Sequence, residues 1–402
     1  MIPIREAIRI VLSQTNKLPS ESVSIDAVFD RVLAEDIIAD CDLPPFDRAQ
    51  MDGYAVRAAD VATTPAQLRI VGESAAGKGW HREMKAGEAV RIMTGAPVPT
   101  GADAVQQVEL TRESDDAQFV EILEPVDPGR SVVRRASEIK IGETVLRAGE
   151  DINAAMIATL ASFGYARVKV GRRPRVAIMA TGSELVDVDQ KPGKDQIRDS
   201  NNYTLAAYAK LAGATVERLP LAGDDTEELK KQIAEAAARS DVLVTSGGVS
   251  MGVYDFTKAA LKELGAEIYF ERVALRPGKP TVFARLGSTL VFGLPGNPVS
   301  VAVTFNLFAR TALRAMQAAK QPELSEETAI LARDLRGSIE RESYLPAVLR
   351  TDEQGTLLAE PLKWGGSSDF VAFARATALI NVPTGVKMIE AGSRVRIVRL
   401  PG

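Results

Sequence analysis

Asp241-Val-Leu-Val-Thr-Ser-Gly-Gly-Val-Ser-Met-Gly-Val-Tyr-Asp-Phe256 is the stretch on which the fold turns. Val242-Leu243-Val244 is a short apolar run of the kind found in a strand buried within a parallel sheet. The run stops at Thr245-Ser246-Gly247-Gly248, where two glycines remove the Cβ atoms and let bare N–H groups face a ligand. Helical spacing begins near Thr257, with Ala260, Leu261 and Leu264 on one side. A strand that runs through a Gly/Ser loop into a helix makes an anion site at the helix N-terminus. Ser246, Gly247, Gly248 and Ser250 are therefore candidate phosphate-binding residues, although the two glycines would serve equally in a plain tight turn. Asp255 is an odd neighbour for phosphate alone and suits a metal ion shared with substrate oxygens.

The same pattern extends on both sides. Strand-like runs at 176–180, 215–220, 242–245, 268–273 and 289–292 alternate with helical stretches that include 202–211 and 227–238. This predicts a doubly wound, mostly parallel sheet with ligands at the carboxyl ends of its strands. Three motifs fall at such ends: Thr181-Gly-Ser-Glu184, Ser246-Gly-Gly-Val-Ser250 and Gly293-Leu-Pro-Gly-Asn-Pro298. After about residue 325 the chain turns to short strands and Gly turns. It ends in Ser393-Arg-Val-Arg-Ile-Val-Arg399, whose alternation fits a small β-barrel.

Toward the N-terminus, Ile4, Ile8, Val11 and Leu12 predict an amphipathic helix, and 23–33 a second ordered segment. In Asp42–Arg57 two prolines oppose a helix, and Asp52-Gly53 signals a turn before Tyr54-Ala-Val56. Short strands at 68–72, 88–93, 104–110 and 119–123, broken by Gly/Pro/Asp turns, predict a separate β domain. Helical periodicity returns at 152–163, so helical segments flank the β block on both sides.

The 402 residues suffice for two to four domains. A net charge of −4 gives no reason to expect nucleic acid or an anionic membrane as partner. The single cysteine, Cys41, excludes an internal disulfide and a cysteine-based metal cluster; the single histidine, His81, leaves little room for Ser-His-Asp catalysis or a His-rich metal site. Chemistry must rest on carboxylates, Lys/Arg, Ser/Thr and backbone groups. Arg5, Glu6 and Arg9 interrupt the N-terminal apolar stripe, so it does not read as a signal peptide, and no run reaches the ~18–20 apolar residues of a membrane span. A cytoplasmic location is expected.

The motifs PPFDRAQMDGYAVR, RIMTGAPVPTGAD, ATGSEL, SNNYTL, SGGVSMGVYDFTK, RPGKPT and GLPGNPVS, in this order over about residues 43–301, resemble the molybdopterin molybdenumtransferase family, the MoeA / gephyrin E-domain family. SGGVS alone would also fit pterin adenylyltransferases; DGYAV, TGAP and GLPGNP together narrow the resemblance. It implies an α/β plus β multidomain fold. Residues 1–41 and 142–171 would form a discontinuous helical/linker domain and 42–141 an inserted β domain. Residues 172–325 would form the central doubly wound α/β domain of the molybdopterin-binding type, and 326–402 a C-terminal β-barrel. The family's reaction takes adenylylated molybdopterin and molybdate, inserts molybdenum at the dithiolene and releases AMP with Mg²⁺ present. A homodimer with an active site shared between subunits is implied, with molybdopterin adenylyltransferase and molybdoenzymes as further partners.

Carried over by motif, Asp52 and Thr94 match residues of the β domain that face the cleft, and Glu184 matches the acid tied most closely to activity. Asp224 and Asp255 match acids near the nucleotide loop and are the expected metal ligands. Arg272, Arg276 and Lys279 match a basic cluster, and Pro295 and Pro298 the two prolines of GLPGNP. Glu138, in Arg134-Arg-Ala-Ser-Glu138, stands where an aspartate is common, and Ser368 belongs to a Gly/Ser substrate loop. Arg at 272 and 276, where lysine is common, keeps the charge and changes the geometry. Because carboxylates repel an oxyanion, contacts to molybdate are expected from cationic and hydroxyl groups such as Thr94.

Plainer roles exist for several of these residues. Asp224 could cap the following helix, Thr181 and Glu184 have capping-box spacing, Asp52 could simply precede a turn glycine, and the Arg/Lys cluster could be a solvated face. Two other functions fit the same loops: nucleotidyl transfer to a pterin, and non-catalytic binding of a pterin cofactor. Simple anion binding has no need of carboxylates at 52, 184 and 255, which argues against the second.

Overall fold

The computed structural model describes residues 1–222, 226–248 and 256–401. It separates into two compact units, one of residues 1–35, 148–154 and 167–402, the other of 36–147 and 155–166.

A six-stranded sheet organises the larger unit, in the order Thr215–Arg218, Arg175–Ala180, Val242–Ser246, Thr289–Leu294, Pro280–Leu286, Glu267–Arg272. The first four strands run parallel. The last two pairings are antiparallel, so the sheet is mixed, with one strand running against the other five, and it is mostly parallel as expected. The reversed strand is Pro280–Leu286, which the apolar runs did not single out. It forms a hairpin with Thr289–Leu294 through Gly287-Ser288, where Gly287 takes φ +58° at the first turn position. Val242–Ser246 lies between two parallel neighbours and all five residues are buried, as its apolar composition requires.

Side chains alternate between the two faces of the sheet. Val176, Ile178, Val244 and Phe292 join one buried cluster with Leu205, Val301 and Phe308 from helical segments. Ala177, Met179, Leu243 and Val291 join another, with Leu229 and Ile233 of helix Thr226–Arg239 and Leu261 of helix Phe256–Glu263. Helices thus cover both faces. Ile4, Ala7 and Val11 of the first helix, Ile4–Ser13, belong to the first cluster, so this helix packs with the α/β layer rather than with residues 142–171.

Five strands, Glu326–Leu331, Glu342–Thr351, Leu357–Pro361, Ala378–Val382 and Arg394–Arg399, close on themselves as a small barrel. A sixth segment, Leu275–Arg276, pairs in parallel with Glu342–Thr351. The Arg-Pro-Gly-Lys stretch is thereby fastened to the barrel as it passes between two strands of the α/β sheet.

The smaller unit holds a second six-stranded sheet, in the order Ala104–Gln107, Gly53–Val56, Glu88–Ile92, Ala66–Ser74, Phe119–Ile122, Thr111–Glu113. Tyr54 and Val56 face one apolar cluster and Ala55 another. The expected strand at 104–110 ends at Gln107 and continues as a 3₁₀ turn, Val108–Leu110. In the larger unit, the ordered segment expected at 23–33 is the end of strand Ser20–Ser24, paired with Arg167–Gly171, followed by one 3₁₀ turn. Among the described residues no helix is long and apolar enough to cross a membrane.

Candidate active site

Strand register brings the three motifs of the larger unit to one level. Ala180 pairs with Ser246, and Ser246 with Leu294, so the loops that follow leave the sheet side by side at its carboxyl edge. Thr181 N–H donates to the Ser246 carbonyl at 2.9 Å, and Gly247 N–H donates to the Leu294 carbonyl at 3.1 Å. The ladder therefore continues one step into the loops.

Two glycines make this crowding feasible. Gly247 has φ +88°, and a Cβ there would lie 2.4 Å from the Thr181 carbonyl oxygen. At Gly182, φ +149°, a Cβ would lie 2.3 Å from a Glu184 carboxylate oxygen. The Glu184 carboxylate thus folds back over Gly182, and an added Cβ would push that side chain aside. The Glu184 carbonyl in turn accepts from Ile197 N–H at 2.8 Å, which ties the loop to the strand pair Leu185–Val186 and Ile197–Arg198.

Thr181, Glu184, Ser246 and Gly247 line a cleft of about 940 Å³, together with Pro298 and Ser368. A second cavity, of about 470 Å³, is lined by Arg276, Lys279, Pro295, Arg341, Trp364 and Ser367, among others. Asn297 lines both. Its side-chain amide donates to Ser367 Oγ at 2.8 Å, and Val299 N–H donates to the Ser367 carbonyl at 3.0 Å. The loop after Leu294 and the Gly/Ser loop near residue 367 are therefore joined along the line between the two cavities. Asp369 stiffens the second loop by accepting from Gly365 N–H at 2.7 Å and Ala372 N–H at 3.1 Å, contacts that hold its carboxyl below the usual range.

The smaller cavity has the chemistry of an anion site. The Arg276 guanidinium donates to the Gly337 carbonyl at 3.3 Å, and the Arg341 guanidinium to the Leu275 carbonyl at 3.3 Å. Lys279 has no hydrogen bond or ion pair from its ammonium among the described residues. Arg272, expected in the same cluster, ends strand Glu267–Arg272, is exposed, and does not line the cavity. Arg341 takes its place, 69 residues further along the chain, just before barrel strand Glu342–Thr351. Neither Arg341 nor Asn297 was singled out from the sequence. Arg341 carries no local motif. Asn297 sat in plain view as the N-cap before Pro298, yet its side chain makes no capping bond and reaches Ser367 instead.

Asp52, Thr94 and Glu138 belong to the smaller unit. Asp52 Oδ1 accepts from both the backbone N–H and the hydroxyl of Thr94, each at 2.7 Å, and these bonds hold the Asp52 carboxyl below its ordinary value. In this arrangement the Thr94 hydroxyl donates to Asp52, and an incoming oxyanion would have to compete with that carboxylate for the proton. Glu138 is exposed and lies 3.4 Å from the Arg48 guanidinium. Asp224, Ser250 and Asp255 lie outside the described residues. Among the described residues no group of three or more His, Cys, Asp or Glu is placed to hold a metal ion.

Fold and site define a multidomain protein built on an α/β domain, with a ligand cleft and a cationic cavity at the carboxyl edge of its sheet. Comparison with known proteins narrows the class. The MoeA N-terminal region (domain I and II) matches residues 2–164, a probable molybdopterin binding domain matches 177–315, and the MoeA C-terminal region (domain IV) matches 328–400. The molybdopterin molybdenumtransferase of Bacillus subtilis (strain 168) is 36% identical over 405 residues, covering 99% of this chain and 94% of the relative. That of Staphylococcus aureus (strain COL) is 34% identical over 403 residues, covering 99% and 95%. The crystal structure of a molybdopterin biosynthesis MoeA protein from Pyrococcus horikoshii OT3 superposes with a TM-score of 0.86 at 28% identity over all of both chains. The chain belongs to the MoeA family of molybdopterin molybdenumtransferases.

Proposed function

We propose that this chain inserts molybdenum from molybdate into adenylylated molybdopterin, with release of AMP and with Mg²⁺ as the metal. The observation that carries this reading is the shared wall at Asn297. A cleft with a Gly/Ser loop and a carboxylate adjoins a cavity with three cations, as a reaction between a phosphate-bearing substrate and an oxyanion requires. The names of the relatives support the same substrates.

In this reading Arg276, Lys279 and Arg341 hold molybdate by charge and N–H donation. Glu184 lines the other cavity, so its negative charge does not oppose oxyanion binding there. The phosphate end of the pterin rests on the Ser246–Gly248 loop. As the two Mo–S bonds form, an oxo ligand of molybdate leaves as water with the two thiol protons, and Glu184 is the proposed group that relays those protons.

A magnesium ion is satisfied by one or two carboxylates, substrate phosphates and water. The described cleft offers such oxygen donors in Glu184, Thr181 and Ser246, whose buried hydroxyl has no hydrogen-bond partner among the described residues. Asp224 and Asp255 remain proposed ligands on the resemblance. When bound, the metal polarises the pyrophosphate so that AMP can leave.

The reading extends to a cytoplasmic homodimer in which Asp52, Thr94 and Glu138 face a partner's cleft, and to molybdopterin adenylyltransferase and molybdoenzymes as partners. The division into domains at 41/42, 141/142, 171/172 and 325/326 is proposed with it. The test is AMP release from adenylylated molybdopterin with Mg²⁺, measured with and without molybdate. Stimulation by molybdate is expected. Consumption of ATP with appearance of pyrophosphate would favour nucleotidyl transfer, and tight pterin binding without AMP release would leave a binding protein.

A further inference from the structure

The cleft that contains Glu184 and Gly247 also has apolar lining that phosphate and oxyanion chemistry leave unused. Val188, Ile197, Tyr203 and Phe370 line it, and each is an exposed large hydrophobic residue. Single exposed hydrophobic residues are ordinary, but four around one concave site form a surface suited to an apolar ligand group.

Tyr203 differs from the other three in how firmly it is held. It sits in the first turn of helix Asn201–Leu211, and the Arg218 guanidinium lies over its ring, 4.0 Å from the centroid. Arg218 is not part of the cleft lining, so it covers the ring from outside. Tyr203 is 41% exposed and lines the cleft. A cation over one face pins an aromatic plane without occupying the other.

The helix start is anchored as well. Asn201, two residues before Tyr203, donates its side-chain amide to the Gly296 carbonyl at 2.8 Å. Asn201 is 9% exposed, and its Oδ1 is buried with no hydrogen-bond partner among the described residues. The Gly296 contact fixes the start of the helix that carries Tyr203 relative to the loop that borders Gly247.

We propose that Tyr203, backed by Arg218, is the stacking platform for a planar heterocycle carried by the phosphate-bearing substrate. This rests on the function proposed above for the class of ligand. Two parts of adenylylated molybdopterin have the required chemistry, the adenine and the pterin. Both are flat and conjugated, as stacking on an aromatic ring requires.

The test is calorimetric titration of the intact protein with AMP, neopterin monophosphate and ribose 5-phosphate, the last having the phosphate but no ring. Wild type is compared with Tyr203→Leu, Tyr203→Phe and Arg218→Met. Tyr203→Leu is expected to weaken one ring-bearing probe about tenfold, the loss typical of removing a base-stacking aromatic, and to leave ribose 5-phosphate unchanged. Tyr203→Phe should stay within about twofold and Arg218→Met should lose about threefold. AMP as the affected probe assigns the platform to adenine, and neopterin monophosphate assigns it to the pterin.

The proposal is overturned if both ring-bearing probes keep their affinity in Tyr203→Leu, or if ribose 5-phosphate weakens equally. It is overturned as well if wild type binds neither ring-bearing probe better than ribose 5-phosphate. A wild type that binds AMP through Tyr203 but shows no molybdate-dependent AMP release would keep the platform and remove the transferase reading, so the two failures are distinct.

Discussion

Lys279→Met removes one positive charge from the smaller cavity and keeps the length and apolar stem of the side chain. The Lys279 ammonium makes no hydrogen bond or ion pair among the described residues, so the folded protein should hardly register the change. An oxyanion should. A dianion about 4 Å from an ammonium gains about 2 kcal/mol at the dielectric of water and about 8 kcal/mol at an effective value of 20. Lys279 is only half-buried and the cavity is open to salt, so the lower figure is appropriate. About 2 kcal/mol corresponds to a roughly 30-fold rise in the molybdate concentration for half-maximal rate. The assay is the initial rate of AMP release from adenylylated molybdopterin across a molybdate series, with a thermal melt of the same preparation. The melt should move by no more than about 2 °C. In about 0.5 M salt the gap between wild type and variant should narrow, because exposed charges are screened. An unchanged molybdate dependence in a variant that still turns over would refute the assignment of the oxyanion to this cavity.

Two further expectations concern the loops. Gly247→Ala should lose about 2–4 kcal/mol: about 1 for the left-handed backbone, and the rest for a Cβ placed 2.4 Å from the Thr181 carbonyl, which must move by about 1 Å and weaken its neighbours' hydrogen bonds. Gly265→Ala, with φ +78° and nothing within 4 Å of the added Cβ, is the control, and equal denaturation midpoints for the two would contradict the crowding. The Asp52 carboxyl is held below its ordinary value by the backbone N–H and hydroxyl of Thr94. With a lowered folded value, the contact is fully present above the unfolded carboxylate range and is lost as pH falls through the depressed value. The Thr94 amide resonance should therefore hold steady from pH 8 to about 5 and shift only below about 4; a shift centred near pH 6 would be inconsistent.

What the sequence disclosed was what neighbouring residues determine. Val242-Leu243-Val244 announced a buried parallel strand, and the glycines after it announced a close turn, because strand burial and left-handed backbone depend on a few adjacent side chains. The alignment of Ala180, Ser246 and Leu294 was legible as three loops at one sheet edge, since parallel strands present all their carboxyl ends together. The hairpin partner Pro280–Leu286 escaped notice although Gly287-Ser288 between apolar runs signals such a turn. Long-range geometry was less legible. Arg341 joins Lys279 because Leu275–Arg276 pairs with a barrel strand, and the Thr94 proton goes to Asp52 across 42 residues. The packing of helix Ile4–Ser13 on the α/β layer depends on which apolar faces meet, and periodicity predicts a face without naming its partner.

The proposed reaction makes release of AMP and insertion of molybdenum one coupled event across the cleft and the cationic cavity that adjoins it. The most direct measurement is a single turnover with enzyme in excess over adenylylated molybdopterin, following AMP and pterin-bound molybdenum in the same samples. Wild type should form one of each per substrate, at the same rate, and Glu184→Gln should lower both together. AMP released without molybdenum incorporation, or incorporation that persists unchanged in Glu184→Gln, would contradict the account.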